Sequence, residues 1–279
     1  MMGVPEATSI YLVESGKKCL IDGGTGTEVR KIIRQLKDLD AFPPDMIILT
    51  HSHWDHTQGV PLMSKRAEKL GKPIEILASE KAIPHLRDQS FNEVFGVGPF
   101  DNIEGDVTPL KEGDVVELKD IKLKILDTPG HKSDHIAVLD TKNRNIFLGD
   151  AIGIKVVDNY HVPPFMPPEW DSDAFLNTIE KLKKIDYEGL SLGHFGYVYG
   201  EESKTILDDA EEAYKKWWKF YEENVDILDD IEHLSEKLDE ANLLPKSEFK
   251  AYPEMLLHGV VSWLASGFKV YKNIPLQQA

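Results

Sequence analysis

Only one cysteine, Cys19, stands in the 279 residues. A lone thiol excludes an internal disulfide framework and any metal site built from several thiolates, and it fits a reducing compartment. Long apolar runs are missing as well: none approaches the roughly 20 residues that cross a bilayer. The N-terminus lacks the positive stretch and apolar core of a secretory signal. The expectation is a soluble, cytoplasmic protein without a membrane partner. Positive charge is scarce, because 32 Lys and Arg face 48 Asp and Glu, for a net charge of −16. A chain that neutralises many phosphates needs a basic face, so nucleic acid is not an expected partner. Low-complexity tracts, linkers and internal repeats are also absent, and 41% hydrophobic with 29% charged residues is ordinary globular composition.

What is present reads as strands alternating with helices. Two β-prone runs, 9–13 and 18–22, are split by Ser15 and Gly16 and form a hairpin. A glycine turn at Gly23, Gly24 and Gly26 leads into a helix whose Val29, Ile32, Ile33, Leu36 and Leu39 share one face, and Pro43 and Pro44 end it. That turn has neither the GxGxxG nor the GK[ST] pattern of a nucleotide loop. A buried strand at 46–49, a helix over 58–70, a strand at 74–78 and a helix from 80 to about 91 follow. Residues 92–106 carry glycine and proline without periodicity and read as a loop beside the site. Short runs at 115–118, 121–126, 135–139 and 145–148 predict antiparallel pairing in a second sheet. Residues 153–170, with Pro163, Pro164, Pro167 and Pro168, read as a stiff lining loop, then a helix over 171–184 and a strand at 190–192.

The final stretch changes character. Ile206, Ala210, Ala213, Trp217 and Tyr221 keep helical spacing, as do Ile227, Ile231, Leu234 and Leu238, and a third helix is predicted near Pro253. Two sheets with helices outside make an α/β, four-layer αββα sandwich over residues 1–200, with an α-helical extension over 201–279 packed on the same domain or standing apart. Trp217, Trp218, Phe220 and Tyr221 are read as core or interface rather than pocket, and a homodimer contact through these helices is one reading of them, with the oligomeric state left open by the sequence.

The chemistry concentrates in His51, Ser52, His53, Trp54, Asp55, His56, where four groups with lone pairs for a cation fall within six positions. Burying several polar rings at one strand end is costly unless something satisfies them, and a metal does so. His51 and His53 lie two apart in extended chain and can point to one side, while Asp55 and His56 emerge where the chain turns toward the next helix. One segment can thus address two neighbouring ions. Imidazole and carboxylate suit zinc first, with iron or manganese compatible. Further on come Thr128-Pro129-Gly130-His131, Gly149-Asp150-Ala151 and Gly193-His194, each at the end of a predicted strand.

HSHWDH followed by TPGH, GDA and GH in that order resembles the metallo-β-lactamase superfamily, most nearly its glyoxalase II-like hydrolase branch, over residues from about 8 to 200. The resemblance implies an αββα sandwich with the site at the edge between the sheets. It implies that His51, His53 and His131 hold one metal, that Asp55, His56 and His194 hold the second, and that Asp150 bridges them. It further implies catalytic parts for Asp55 and Asp150, a hydroxide generated between two divalent cations, and cleavage of an ester-like bond, thioester or lactone, in a small molecule. His135 begins a predicted strand and is read as a supporting residue rather than a ligand. His85, His161, His233 and His258 stand singly without ligand spacing.

Relatives that process nucleic acid insert a large domain between the positions of Asp150 and His194, where this chain has too few residues for one. Flavin-dependent diiron reductases resemble the pattern but carry glutamate in place of His53. Persulfide dioxygenases use one iron held by the equivalents of His51, His131 and Asp150, and motifs alone leave that reading open, as they do a small-molecule phosphodiesterase and a noncatalytic metal-binding module. The expected partner is a small-molecule substrate.

Overall fold

Period-two alternation decides which layer each strand residue joins. The computed structural model describes residues 8–157, 160–250 and 252–276. The first half runs β1 (Tyr11–Ser15), β2 (Lys17–Ile21), α1 (Val29–Asp38), β3 (Met46–Leu49), α2 (Trp54–Thr57), α3 (Val60–Glu68), β4 (Glu75–Ser79), α4 (Ile83–Arg87), a 3₁₀ turn (Gln89–Phe95) and β5 (Val107–Leu110). Its five strands form one sheet in the order β1-β2-β3-β4-β5, antiparallel at the hairpin and parallel thereafter. In β3, Met46 and Ile48 face inward to the second sheet, while Ile47 and Leu49 face outward to α1 and α3.

The second half continues with β6 (Val115–Glu117), β7 (Lys122–Asp127), β8 (Ile136–Asp140), β9 (Asn145–Gly149), β10 (Ile154–Val157), β11 (Tyr160–Val162), α5 (Ser172–Leu182), β12 (Gly189–Leu192) and β13 (Tyr197–Tyr199). Six of these strands form the second sheet in the order β13-β12-β9-β8-β7-β6. Leu123, Ile125, Ile136, Val138 and Phe147 meet Cys19, Ile21, Met46, Ile48 and Leu77 between the sheets. On the outer face, Ala137, Ile146, Leu148, Leu190 and Leu192 meet Phe175 and Ile179 of α5. These three apolar layers are what an αββα sandwich requires, each buried aliphatic or aromatic side chain contributing about 1.5–3 kcal/mol.

The tail consists of α6 (Glu201–Glu223), a 3₁₀ turn (Val225–Ile227), α7 (Ile231–Glu240) and α8 (Glu254–Tyr271). Ile206, Leu207, Ala210, Tyr214, Trp217 and Tyr221 of α6, Leu234 and Leu238 of α7, and Leu264 and Phe268 of α8 share the outer core of the second sheet. Trp217 and Tyr221 are fully buried inside the chain's own packing.

Several elements differ from the sequence reading. The helix expected over 58–70 starts earlier, as α2, and is interrupted at Gly59, where a Cβ would lie 2.0 Å from the Gly23 carbonyl oxygen. The helix expected over 80–91 shrinks to α4, because Asp88 adopts an extended conformation and its carboxylate accepts the Ser90 N–H, capping the 3₁₀ turn. Within the expected loop 92–106 the 3₁₀ turn runs on to Phe95. Strand β5 escaped notice because Pro109 breaks its pattern, yet an edge strand tolerates proline. The stretch expected to be a lining loop opens with the β10–β11 hairpin before its prolines begin.

Candidate metal centre

Four strand ends converge on one edge of the sandwich. His51 lies two residues past β3, His131 four past β7, Asp150 directly after β9 and His194 two past β12. The Ile136 N–H donates to the Thr50 carbonyl across the two sheets at 2.8 Å, and the Gly193 N–H donates to the Gly149 carbonyl at 2.8 Å. Glycine at 193 is required for space, since a Cβ there would stand 2.2 Å from Asp150 Oδ1.

All seven sequence-predicted residues fall into two adjoining clusters, His51, His53 and His131 in one and Asp55, His56, Asp150 and His194 in the other, with donor atoms of each cluster within 4.8 Å of one another. In the first, His51 Nε2 and His53 Nδ1 are 3.1 Å apart, His53 Nδ1 and His131 Nε2 2.9 Å, and His131 Nε2 and His51 Nε2 3.3 Å. A tetrahedral ion with nitrogen ligands at 2.0–2.1 Å separates them by about 3.3 Å, so the triangle has the size of a metal face. In the second, Asp150 Oδ2 lies 3.3 Å from His194 Nε2, 3.5 Å from His56 Nε2 and 3.7 Å from His131 Nε2. Asp55 Oδ2 lies 3.4 Å from His194 Nε2 and 3.6 Å from His56 Nε2. Asp150 thus stands between the clusters. Among the described residues, His56 Nε2 and Asp150 Oδ1 are buried without a hydrogen-bond partner, which a cation would satisfy.

Neighbouring groups orient the rings. Thr50 Oγ1 donates to Asp22 Oδ2 at 2.9 Å and so accepts from His51 Nδ1 at 3.1 Å, which leaves the His51 Nε2 lone pair turned inward. His131 Nδ1 donates to the Pro164 carbonyl at 3.1 Å, and His56 Nδ1 donates to Asp22 Oδ2 at 2.8 Å, so that Nε2 of each ring faces inward. His135 accepts the Asp150 backbone N–H through Nε2 at 3.1 Å and bonds Thr128 Oγ1 through Nδ1 at 2.7 Å. Its place is therefore behind the ligands, holding Asp150. His85, His161, His233 and His258 lie outside both clusters.

Electrostatics separate the clusters. Burial, reinforced by neighbouring imidazoles, pushes His51 and His53 well below the ordinary histidine range, and burial likewise lowers His131. These rings are neutral and their lone pairs available. Burial would also lower His56 and His194, but Asp55 and Asp150 outweigh it, so His56 rises well above its usual value and His194 to about 10. Against the cost of burial, these same imidazoles hold Asp55 and Asp150 below the usual carboxylate range.

Asp22 went unnoticed in the sequence, although an acidic residue ending a strand before two glycines is a usable signal. It is 2% exposed, has φ +65°, and accepts from Thr50 N, Thr50 Oγ1 and His56 Nδ1. Outer carboxylates of this kind set ligand orientation. Asp22→Ala is expected to weaken metal uptake about 10- to 100-fold with the ligand set intact, measured by competition with a chromophoric chelator. Unchanged affinity in a folded variant would remove Asp22 from the site.

Residues 3–194 match the family described as the metallo-beta-lactamase superfamily. The chain is similar to the Beta-lactamase-like protein 2 homolog of Caenorhabditis elegans, 24% identical over 237 residues that cover 82% of this chain and 68% of the relative. It is also similar to the hydroxyacylglutathione hydrolase of Nitrosomonas europaea, 34% identical over 146 residues, 51% of this chain and 44% of that protein. Among solved structures, a metallo-beta-lactamase family protein from Thermus thermophilus superposes with a TM-score of 0.65 at 19% identity, covering 95% of this chain and 88% of the other.

Proposed function

Because the chain belongs to the metallo-beta-lactamase superfamily, matched over residues 3–194, we propose that it is a dinuclear metal-dependent hydrolase that cleaves an ester-like bond, thioester or lactone, in a small molecule. The observation that carries this reading is the pair of clusters sharing Asp150, with His56 Nε2 and Asp150 Oδ1 buried and, among the described residues, without a hydrogen-bond partner. Zinc is the first choice for both positions, iron or manganese the next, because the donors are imidazole and carboxylate. Two such cations would supply Lewis acidity, making a water acidic enough to attack near neutral pH and polarising the acyl oxygen.

The chain's own residues supply geometry and proton handling. Asp55, with its side chain 19% exposed, is the most open of the seven and is placed to accept a proton from the attacking water. Phe95 stacks edge-on against His53 at 5.1 Å, and Trp263 of α8 stands 5.4 Å from Phe95 while donating Nε1–H to its carbonyl. These rings favour an uncharged acyl group beside the first cluster. A phosphodiester would favour cationic side chains, and the nearby Lys132 and Lys155 already face Glu169 and Glu202. A single-iron dioxygenase would leave Asp55, His56 and His194 idle, although they converge with Asp150. Sequence similarity to a hydroxyacylglutathione hydrolase supports thioester cleavage, over half the chain.

The test is metal analysis of the purified protein joined to kinetics on thioesters, lactones and phosphodiesters. Two equivalents of metal and turnover of a thioester or lactone are expected. One equivalent of iron with oxygen consumption, or turnover of phosphodiesters alone, would overturn the reading. A second expectation concerns protons. Asp55 and Asp150 raise His194 and His56 in the metal-free protein, so uptake should release protons, and affinity should fall as the pH is lowered. Calorimetry in buffers of different ionisation enthalpy reads this directly; a heat independent of buffer would contradict it.

A further inference from the structure

Behind the three-histidine cluster lies a buried ion group that ligation does not use. Lys132, directly after His131, is fully buried, and its Nζ stands 2.9 Å from Glu169 Oε1 and 3.6 Å from Asp134 Oδ2. Asp134 is 1% exposed and accepts the Ser52 hydroxyl at 2.5 Å and the Ser52 N–H at 3.4 Å. Ser52 is the residue between His51 and His53. Glu169 also accepts from the Ser133 N–H at 3.2 Å and from the Ser133 hydroxyl, and it lies 3.3 Å from His85 Nε2. Finally, Lys132 Nζ sits 4.5 Å from the centre of the Phe91 ring, on the 3₁₀ turn that carries Phe95.

The group therefore joins five segments distant in sequence: the 51–53 strand end, α4 through His85, the 3₁₀ turn, the 131–134 turn and the proline-rich stretch at Glu169. A buried ion pair contributes little net stability, because desolvation offsets the Coulomb attraction, and apolar side chains of similar volume often do as well. What such a buried group does provide is a fixed arrangement, here through the Lys132–Glu169 hydrogen bond, the Lys132–Asp134 ion pair and the two Ser52 hydrogen bonds to Asp134. Here the fixed object is Ser52, whose backbone sets the spacing of His51 Nε2 and His53 Nδ1 at 3.1 Å. No comparable bond reaches Asp55, His56 or His194 from this group among the described residues, and the nearest carboxylate support of His56 is Asp22.

We propose that Lys132, acting through Asp134 and Ser52, is a positioning residue for the three-histidine cluster alone, so that the first metal position has a support of its own besides the Asp22–Thr50 pair that serves His51 and His56 together, and can be loosened without the second. The inference rests on the dinuclear reading. Lys132 touches no substrate; it fixes the backbone that aims two of three ligands.

The experiment titrates zinc into the metal-free full-length protein and its variants, with binding followed by calorimetry and folding by circular dichroism. Wild type should bind two equivalents, and His53→Ala identifies which step belongs to the three-histidine cluster. Lys132→Met and Ser52→Ala should each weaken that step about tenfold or more while leaving the other within about twofold. Should Lys132→Met fail to fold, Ser52→Ala decides, since it removes one hydroxyl and no charge. Lys269→Met is the control, because Lys269 is a buried cation paired with Asp229 at 2.7 Å in the tail, and its loss should leave both steps unchanged. Wild-type affinities in folded Ser52→Ala and Lys132→Met, equal weakening of both steps, or the same loss in Lys269→Met would each overturn the proposal. Absence of any zinc binding by wild type would instead bring down the hydrolase reading, and this inference with it.

Discussion

Asp150→Ala should lower hydrolysis at least about 10³-fold, a loss of roughly 4 kcal/mol of transition-state stabilisation. The reason is position: Oδ2 lies within 3.7 Å of His131, His56 and His194, so this one carboxylate serves both clusters. Its removal also leaves His194 with Asp55, and His56 with Asp55 and Asp22, as their remaining carboxylates, which weakens uptake in the second cluster and unlinks it from the first. Asp150→Asn keeps the volume and one oxygen, and should retain more metal than the alanine variant while remaining well below wild type. Metal content and initial rates on the best substrate of the panel measure the effect. A folded alanine variant that turns over at the wild-type rate would remove the carboxylate from the chemistry.

Phe165→Ala is expected to destabilise the protein by about 3–5 kcal/mol, at the upper end for a single core truncation. Its ring is fully buried, with centroids 4.9 Å from Trp170, 5.8 Å from Tyr214, 5.6 Å from Trp218 and 6.1 Å from Tyr221. Phe165 and Trp170 belong to the proline-rich stretch of the sandwich, and Tyr214, Trp218 and Tyr221 to α6, so the ring joins the two regions. The backbone agrees, since α8 approaches until a Cβ on Gly267 would lie 2.3 Å from the Phe165 carbonyl oxygen. The neighbouring Pro164 carbonyl holds His131, so metal affinity should fall in the same variant. Urea unfolding followed by both circular dichroism and tryptophan fluorescence is the measurement. A near-wild-type midpoint, or two separate transitions, would mean that the helices fold apart from the sandwich.

The seven candidate ligands were legible because His51, His53, Asp55 and His56 fall within six positions after one short apolar run, because His131, Asp150 and His194 each follow a glycine at a strand end, and because imidazole and carboxylate at such ends have few other uses. The αββα layering was legible for a related reason, since β3 alternates Met46 and Ile48 with Ile47 and Leu49 and so needs a partner on both faces. Less could be read where tertiary contacts override local pattern. The β5 edge strand carries Pro109, the β10–β11 hairpin is only four and three residues long, and the helix expected through Phe91 yields at Asp88 to a side-chain cap. Asp22 reads in sequence only as the end of a strand, and its part in the site rests on the contact with His56.

By itself, the order of residues determined the donor types, their grouping on strand ends and the absence of thiolate chemistry, because these are properties of single side chains and short spacings. Only the tertiary structure decided that Asp150 stands between two clusters, that Trp263 from the last helix backs the ring against His53, and that Lys132 lies buried behind the histidines. Those facts depend on which distant segments pack together, and packing sums many weak contacts that no local window of sequence contains.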